Sequence, residues 1–285
     1  MNLQMHARLA RRRLRRLAQC LYYRRLSLRG VPVLFANSFP KSGTHLLTQV
    51  LQAFSHIGPA VDSGLPALVT FQGDSGRMRT QAEILADLRR LLPGDIAYGH
   101  LHALPEVVDF LCQAGFVAYF ILRDPRDVVV SHVFYVTEME PRHVHHHYYA
   151  LELHTFSERL RASIVGIPDS ATPLPNIRER FLPYMGWLER PQVLALRYEE
   201  LLADRRNALS RIYDHALKRG FPARFDRERA VAILEAGLNP QRSPTFRSGR
   251  AGGWREHFSP EIRRLFKDTA GDLLVQLGYE QDDDW

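Results

Sequence analysis

Cysteine is scarce in this chain, which has only Cys20 and Cys112 among its 285 residues. Two cysteines cannot form a disulfide framework, and this indicates a reducing compartment such as the cytoplasm. The chain also lacks any run of about eighteen apolar residues, the length that a membrane-spanning helix needs. Hydrophobic residues make up 45% and charged residues 24%, a composition typical of a folded globular protein.

Acidic residues are missing from the first 61 positions, and Asp62 is the first of them. Nine arginines and Lys41 give this stretch a charge of +10, while the other 28 basic and 31 acidic residues sum to −3. The net charge of +7 therefore comes from the N-terminal part, and the rest of the chain is near neutral. A charge confined to one arm does not predict a nucleic-acid-binding surface.

The N-terminal arm, residues 1–30, has the pattern of a basic amphipathic helix, and it precedes a single domain over residues 31–285. Apolar residues recur every three or four positions with arginines between them: Leu3, Ala7, Ala10, Leu14, Leu17 and Leu21. Three interpretations fit this pattern. The helix packs on its own domain, it lies on an anionic membrane surface, or it is a cleaved organellar presequence.

Beyond residue 30, apolar strands alternate with helices. The pattern predicts strands over 31–39, 116–122 and 193–196, and helices over 44–55, 125–136, 199–219 and 260–277. Strands that are apolar throughout, with helices between them, indicate an α/β fold with a central parallel sheet flanked by helices on both faces. The segments 57–80 and 138–192 are less periodic, and we expect loops and short helices there.

A short motif, PKSGT at residues 40–44, connects the first strand to the first helix. Gly43 permits a tight turn, and the backbone N–H groups at the start of a helix bind anions. Lys41 adds a full charge, and Ser42 and Thr44 add hydroxyl donors. Lysine is rare here, with three residues against 35 arginines, so its use at position 41 indicates a need for a compact ammonium group. In a Walker A loop, by contrast, the lysine follows the second glycine.

Two further motifs carry arginines. Arg123 follows a strand at the end where open α/β sheets bind ligands, and Ser131 lies eight residues later. A guanidinium and a hydroxyl that converge suit a phosphate group, and the alternative is a surface ion pair between Arg123 and Asp127. Near the C-terminus, residues 247–255 read RSGRAGGWR. This glycine-rich cationic segment either folds over a second phosphate or is a solvent loop held by Trp254.

Together, the three motifs resemble those of the cytosolic-type sulfotransferase family, which uses 3′-phosphoadenosine 5′-phosphosulfate (PAPS) as its sulfuryl donor. The resemblance spans residues 31–280 and implies a P-loop-like three-layer fold. It implies that the first motif binds the 5′-phosphosulfate and that Arg123, Ser131 and residues 247–249 bind the 3′-phosphate. The residues that would bind the cofactor are Lys41, Ser42, Gly43, Thr44, Arg123, Ser131, Tyr198, Arg247, Ser248 and Gly249.

The family's general base is a histidine on a short strand between the first two motifs. The matching stretch here is YGHLH at residues 98–102, and the leucine after His100 favours it over His102. By this resemblance His100 would accept the proton of the acceptor, and Lys41 would stabilise the departing bridging oxygen. A sulfuryl group carries less charge than a phosphoryl group, so no metal is expected.

Several positions depart from the family pattern. An aromatic residue after the first motif is replaced by Leu46, which leaves Phe246 as the candidate for stacking on adenine. A lysine near the histidine is replaced by Tyr98, and in the third motif Ser248 and Gly253 replace a lysine and an acid. In the family, these positions contribute to the affinity for PAPS and to stabilisation of the leaving group.

Histidines are concentrated after the second motif. Contiguous histidines cannot all reach one ion, and no cysteine or acidic cluster accompanies them. We therefore expect a polar loop at the acceptor entrance and no metal site. The histidines are His132, His143, His145, His146, His147 and His154.

The sequence thus predicts an enzyme that transfers a sulfuryl group from PAPS to a hydroxyl, or less often an amine, of a small-molecule, lipid or carbohydrate acceptor. One alternative is a P-loop kinase, although the second glycine and a metal-binding carboxylate are missing. Another is a non-catalytic nucleotide-binding protein that acts at a membrane surface through the arm. An enzyme requires Lys41 and His100 to face one cavity, and a scaffold does not.

Overall fold

The structure, a computed structural model, describes residues 3–72, 75–239, 241 and 249–285. Within these ranges six strands form one sheet in the order β2-β4-β1-β5-β6, with β3 also paired to β4, and all the strand pairs are parallel. The strands are β1 (Val33–Ser38), β2 (Val61–Asp62), β3 (Leu68–Val69), β4 (Asp95–His100), β5 (Phe116–Leu122) and β6 (Val193–Arg197).

Helices connect the strands and cover the sheet. The first six are α1 (Leu3–Tyr22), α2 (Thr44–Ala53), α3 (Gln81–Leu88), α4 (Pro105–Cys112), α5 (Pro125–Phe134) and α6 (Phe156–Val165). The next six are α7 (Ile177–Met185), α8 (Tyr198–Ala203), α9 (Arg205–Lys218), α10 (Arg227–Ala236), α11 (Pro260–Ala270) and α12 (Leu273–Gln276). Two π-type turns follow α5, at Tyr135–Met139 and Tyr148–Glu152.

The two faces of the sheet support two separate hydrophobic cores, because side chains alternate along each strand. Phe35 and Phe120 belong to the core that includes α3 to α7 and α11. Leu34 and Tyr119 belong to the core on the other face, which includes α2, α9 and α10. The fold is therefore a three-layer α/β structure with a parallel sheet at its centre, as the sequence predicted.

The local predictions are confirmed for the strands and for the starts of the helices, with two differences. The helix predicted over 199–219 is two helices, because the Asp204 side chain accepts a hydrogen bond from the Asn207 N–H and begins α9 there. The last predicted helix ends at Ala270, because the chain turns at Gly271, whose φ of 55° is in the left-handed region. The segments predicted to hold loops and short helices contain α6 and α7, as expected, and 57–80 also holds the two-residue strands β2 and β3, which were not predicted.

The arm contacts the domain through its polar face. Arg12 is buried and pairs with the carboxylate of Asp95, and Arg16 lies 2.8 Å from the same carboxylate. The amide of Gln19 donates to the backbone carbonyls of Ser55 and Ala60 at 3.0 Å each. None of the helices in the described ranges combines the length and the apolar character that crossing a bilayer requires.

Candidate active site

The carboxyl ends of three adjacent strands bring the predicted residues to one edge of the sheet. Strand β1 lies between β4 and β5, and the three strands end at Ser38, His100 and Leu122. Each of these ends leads directly into one of the stretches singled out from the sequence. In open parallel sheets, ligands bind in the crevice at this edge. The architecture therefore places all three stretches around one crevice.

The PKSGT segment forms a tight loop between β1 and α2. Lys41 and Gly43 both have left-handed backbone conformations, with φ of 68° and 93°. Between them, the Ser42 N–H donates to the carbonyl of Phe39 at 3.2 Å. The Ser42 hydroxyl is buried and has no hydrogen-bond partner within the described ranges. Alternating backbone conformations before a helix N-terminus create the concave cradle of N–H groups that binds phosphates.

Tyr198 packs directly on this loop. A β-carbon at Gly43 would lie 2.6 Å from the Cδ2 atom of the Tyr198 ring, closer than real contacts allow. Glycine is thus required at position 43 both by its backbone conformation and by this contact. The guanidinium of Arg123 lies over the same ring, 4.7 Å from its centroid. Tyr198 therefore joins the first two motifs.

His100 is oriented by the end of the neighbouring strand. Its Nδ1 atom lies 3.1 Å from the Ser38 carbonyl oxygen and 3.0 Å from the Ser38 hydroxyl, which is 2.7 Å from the Thr44 hydroxyl. When Nδ1–H donates to the carbonyl, Nε2 carries the free lone pair of a proton acceptor. Burial lowers the pKa of His100 to about 4, and the charge of Lys41 contributes to this shift. His100 is therefore neutral at neutral pH.

His102 has a different environment. Its ring packs edge-on against Phe71 and Tyr184, with centroid distances of 5.3 and 4.8 Å. Burial alone lowers its pKa to about 4. These contacts are those of a core side chain, whereas His100 lies beside the PKSGT loop.

Lys41 lies among aromatic and imidazole rings. Its Nζ atom is 3.8 Å from the centroid of the Tyr135 ring, a cation–π contact. Burial lowers the pKa values of four histidines, and the positive charge of Lys41 lowers them further; they are His45, His100, His132 and His143.

Asp127 connects the second motif to the third. Its carboxylate accepts hydrogen bonds from the backbone N–H groups of Gly252 and Trp254, at 2.7 and 2.9 Å, and lies 3.4 Å from Arg123. Arg123 also donates to the carbonyl of Arg250 at 2.9 Å, while its Nε atom is buried and has no partner in the described ranges. The Arg123–Asp127 pair is therefore a buried connection between motifs and not the surface pair considered above.

Of the remaining predicted residues, the structure describes two and leaves the others outside its described ranges. Ser131 lies on α5 and is partly buried, and Gly249 has a φ of 61°. Arg247, Ser248 and the adenine-stacking candidate Phe246 lie outside the described residues. Sequence reasoning missed Ser38 and Tyr135, which contact His100 and Lys41. Ser38 had one signal, its position as a polar residue at the end of an apolar strand.

A cleft of about 1140 Å³ lies next to the loop. It is lined by α1, α2 and residues 236–239, and its wall includes His45 and Tyr98. The adjacent Gln49 holds Asn239 through two hydrogen bonds, of 2.8 and 2.9 Å. The cleft thus extends from the first turn of α2, which follows the PKSGT loop, to residues 236–239.

Comparison with known proteins identifies the family. The profile of the family described as "Sulfotransferase domain" matches residues 119–278, which is more than half of the chain. The chain belongs to the sulfotransferase domain family. The matched range includes the second and third motifs, while the first motif precedes it. No curated protein sequence matches the chain significantly.

Solved structures share the fold of this sulfotransferase. Mouse sulfotransferase SULT7A1, solved with PAP, is 21% identical, covers 88% of each chain and gives a TM-score of 0.58. Retinol dehydratase, solved with androsterone and the inactive cofactor PAP, is 17% identical, with a TM-score of 0.56 and coverage of 85% of this chain and 80% of that chain. Retinol dehydratase in its complex with retinol and PAP is 18% identical, with a TM-score of 0.56 and coverage of 85% of this chain and 81% of that chain. The TM-scores show a shared fold, and at these low identities the likeness extends to the fold alone.

Proposed function

We propose that this sulfotransferase moves a sulfuryl group from PAPS to a hydroxyl group of a small-molecule acceptor, with His100 as general base and Lys41 stabilising the leaving group. The observation that carries the proposal is the position of these two residues. Lys41 lies in the loop between β1 and α2, and the Ser38 hydroxyl connects His100 to the same loop, at 3.0 Å from Nδ1 and 2.7 Å from the Thr44 hydroxyl. A scaffold has no need for this arrangement.

The chain's residues have distinct parts in the proposed reaction. PAPS would supply the sulfuryl group, and the desulfated product PAP would leave with the electron pair of the broken S–O bond. The Nε2 atom of His100 accepts the proton of the acceptor hydroxyl as the new O–S bond forms. The Lys41 ammonium donates to the bridging oxygen as negative charge develops there. The hydroxyl groups of Ser42 and Thr44 and the N–H groups of the loop bind the 5′ end.

The nucleotide's 3′-phosphate is assigned to Arg123 and Ser131, together with residues 247–249. Arg123 supports this role because its Nε is buried without a partner among the described residues, while its remaining contacts hold it against Tyr198 and Arg250. The solved neighbours bind PAP, and retinol dehydratase also binds retinol and androsterone. This similarity favours an apolar small molecule with a hydroxyl group as the acceptor, ahead of a lipid or a carbohydrate.

The test is a calorimetric titration of the full chain with PAP, the desulfated product 3′-phosphoadenosine 5′-phosphate. We expect micromolar binding that weakens at least tenfold in Arg123→Ala. Arg264→Ala, which removes an exposed arginine from α11, is the matched control and leaves the affinity unchanged. ATP, with and without Mg²⁺, is the comparator ligand and binds much more weakly.

Other outcomes favour the alternatives. Tighter binding of ATP that depends on Mg²⁺ would support a kinase. Absence of PAP binding to folded wild-type protein would exclude the sulfotransferase mechanism and favour a scaffold. Equal losses in Arg123→Ala and Arg264→Ala would show that the effect is general charge and not the proposed site.

The proposal includes peripheral contact between α1 and an anionic membrane surface. The arm's polar face is occupied by the domain, so its apolar face points outward: Leu14, Leu17 and Leu21 are 66%, 62% and 80% exposed. Arg11 and Arg13 flank these leucines and are exposed. An apolar stripe flanked by arginines matches the interface of an anionic bilayer.

Co-sedimentation with vesicles tests this contact. We expect the full chain to bind vesicles that contain phosphatidylserine, to bind neutral vesicles weakly, and to lose binding in the Leu14→Ser, Leu17→Ser, Leu21→Ser variant. The control Leu182→Ser changes an exposed leucine elsewhere and leaves binding intact. A concentration-dependent dimer that disappears in the triple variant, without vesicle binding by the wild type, would assign the face to a second copy instead.

A further inference from the structure

Three histidine rings converge behind the candidate active site. His132 comes from α5, and His143 and His145 come from the segment between the two π-type turns. One ring nitrogen from each residue lies within 4.8 Å of the other two. All three belong to the histidine group noted in the sequence, but the spacing of six histidines along the chain does not show which three rings meet. We propose that these three residues form a binding site for a divalent transition metal ion, with zinc as the expected occupant.

His145 provides the strongest evidence. The residue is 7% exposed, and its Nε2 atom lies 2.7 Å from the carbonyl oxygen of Thr172. A carbonyl only accepts, so Nε2 carries the hydrogen and Nδ1 has the free lone pair. Nδ1 is buried and has no hydrogen-bond partner within the described ranges. A buried lone pair without a donor is costly, and a metal ion would satisfy it.

His132 also has a hydrogen-bond partner at one ring nitrogen, which leaves the other nitrogen for a metal ion. It is 8% exposed, and its Nδ1 atom lies 2.7 Å from the hydroxyl of Ser163, which is 3.0 Å from the Tyr149 hydroxyl. The Ser163 hydroxyl can accept from Nδ1–H, which leaves the lone pair on Nε2. Metal-binding histidines commonly donate their second N–H to such a partner, and this contact fixes the tautomer and the ring orientation.

His143 completes the set and is more accessible. It is partly exposed, so an ion can reach the site from its side. Its Nδ1 atom accepts a hydrogen bond from the backbone N–H of His145 at 3.2 Å. Ligation through Nε2 moves the ring hydrogen to Nδ1 and breaks this long contact. The required rearrangement is therefore a change of tautomer in one ring.

The chemistry of the three groups selects the ion. Neutral imidazoles suit zinc, nickel and copper, and three of them leave one coordination position open for water. Burial lowers the pKa values of all three histidines, which favours the neutral form that binds a metal ion. Arg180 is buried and hydrogen-bonds to the Ser163 carbonyl. Its charge and that of Lys41 oppose an ion, so we expect micromolar rather than nanomolar affinity.

A bound ion would connect α5 to the loop on the acceptor side. The helix α5 carries Ser131, and the loop begins after Tyr135, whose ring contacts both Lys41 and His143. The metal site is thus separated from Lys41 by one aromatic ring. This inference depends on the three histidines and not on the proposed sulfuryl transfer.

Zinc titration of the full-length, metal-free protein in competition with a chromophoric chelator tests the site. We expect one Zn²⁺ per chain with micromolar affinity, and a loss of affinity of about 100-fold or more in His145→Ala and in His132→Ala. Co²⁺ in place of zinc should give the intense visible absorption of a tetrahedral ion with nitrogen ligands. Zinc should also raise the melting temperature of the wild type but not of the variants.

His147→Ala is the matched control, because this exposed histidine lies in the same loop outside the trio. Circular dichroism of each metal-free variant shows whether it is folded. The proposal is overturned if wild type and His145→Ala bind zinc equally, if His147→Ala loses as much affinity as His145→Ala, or if Co²⁺ gives only the weak absorption of an octahedral ion. These outcomes leave the PAP titration unaffected, so the two proposals fail independently.

Discussion

The Nδ1 atom of His100 lies 3.1 Å from the backbone carbonyl oxygen of Ser38, at the point where two neighbouring strands end. The strands are paired over four residues, from Leu34 with Ile96 to Asn37 with Gly99. Asn37 then exchanges two hydrogen bonds with the backbone of Leu101, at 2.8 and 3.0 Å. The sheet thus holds the imidazole in the tautomer that carries its hydrogen on Nδ1 and its lone pair on Nε2.

His100→Ala should lower kcat by about 100-fold to 10,000-fold, because the general base is lost. His102→Ala should lower kcat less than tenfold, since its ring packs with Phe71 and Tyr184. PAP affinity should stay the same in both. Because the pKa of His100 is about 4, kcat/KM in wild type should be constant from pH 6 to 8 and fall only towards pH 4. A greater loss of kcat in His102→Ala than in His100→Ala would assign the general base to His102.

Acid should destabilise the protein through its buried histidines. Burial lowers the pKa values of His100 and His102 to about 4, below the ordinary value of 6.5. Between these values the unfolded chain binds more protons than the folded one, so the free energy of unfolding decreases as pH falls from 6.5 to 4. Each such group contributes about 1.4 kcal/mol per pH unit. Urea unfolding at several pH values measures how steeply the free energy of unfolding changes with pH. His102→Phe should reduce this slope by the contribution of one histidine. An unchanged slope in that variant would contradict the prediction.

Gly43→Ala should abolish PAP binding and lower the free energy of unfolding by more than the backbone strain alone. Gly115→Ala is the matched control, because Gly115 has nearly the same φ, 94° against 93°, but no atom within 4 Å of an added β-carbon. The strain in both is about 1–2 kcal/mol. Only Gly43→Ala adds the contact with Tyr198. Chemical denaturation measures the loss of stability, and titration measures the loss of PAP binding. Equal losses in Gly43→Ala and Gly115→Ala would show that the contact with Tyr198 does not shape the site.

Asp127→Asn should weaken PAP binding at least tenfold without a direct contact to the nucleotide. The carboxylate holds the backbone of Gly252 and Trp254 against α5 and pairs with Arg123. An amide can accept only one of the two N–H groups well, and buried hydrogen bonds to a charged group are worth about 2 kcal/mol each. Asp268→Asn, at an exposed site on α11, is the control. Calorimetry that shows unchanged PAP affinity would separate Asp127 from the nucleotide site.

Arg12→Ala should lower the free energy of unfolding by about 3 kcal/mol, because it leaves the buried carboxylate of Asp95 with Arg16 as its remaining ion-pair partner in the described ranges. Arg13→Ala changes an exposed arginine on the same helix and should stay within about 0.5 kcal/mol of wild type. Urea unfolding followed by circular dichroism measures both. Equal stability of the two variants would show that α1 does not depend on this ion pair.

Much of the fold could be predicted from the sequence because the signals are local. Apolar runs mark β1, β5 and β6, and Pro125 and Pro260 mark the first turns of two helices. The residues that follow each strand were identified for the same reason, since the carboxyl ends of parallel strands share one edge. The sequence also indicated the amphipathic arm, but not the direction in which its apolar face points.

The sequence by itself therefore determined the alternation of strands and helices, the tight PKSGT loop between β1 and α2, and the family. Only the tertiary structure decided which of two histidines faces that loop, that Asp127 joins two distant motifs, and that His132, His143 and His145 meet. It also turned the leucines of α1 outward, because the arginines on the opposite face contact Asp95. These relationships depend on packing between residues far apart in the chain, and no local pattern of residues records which distant side chains a fold brings within a few ångströms.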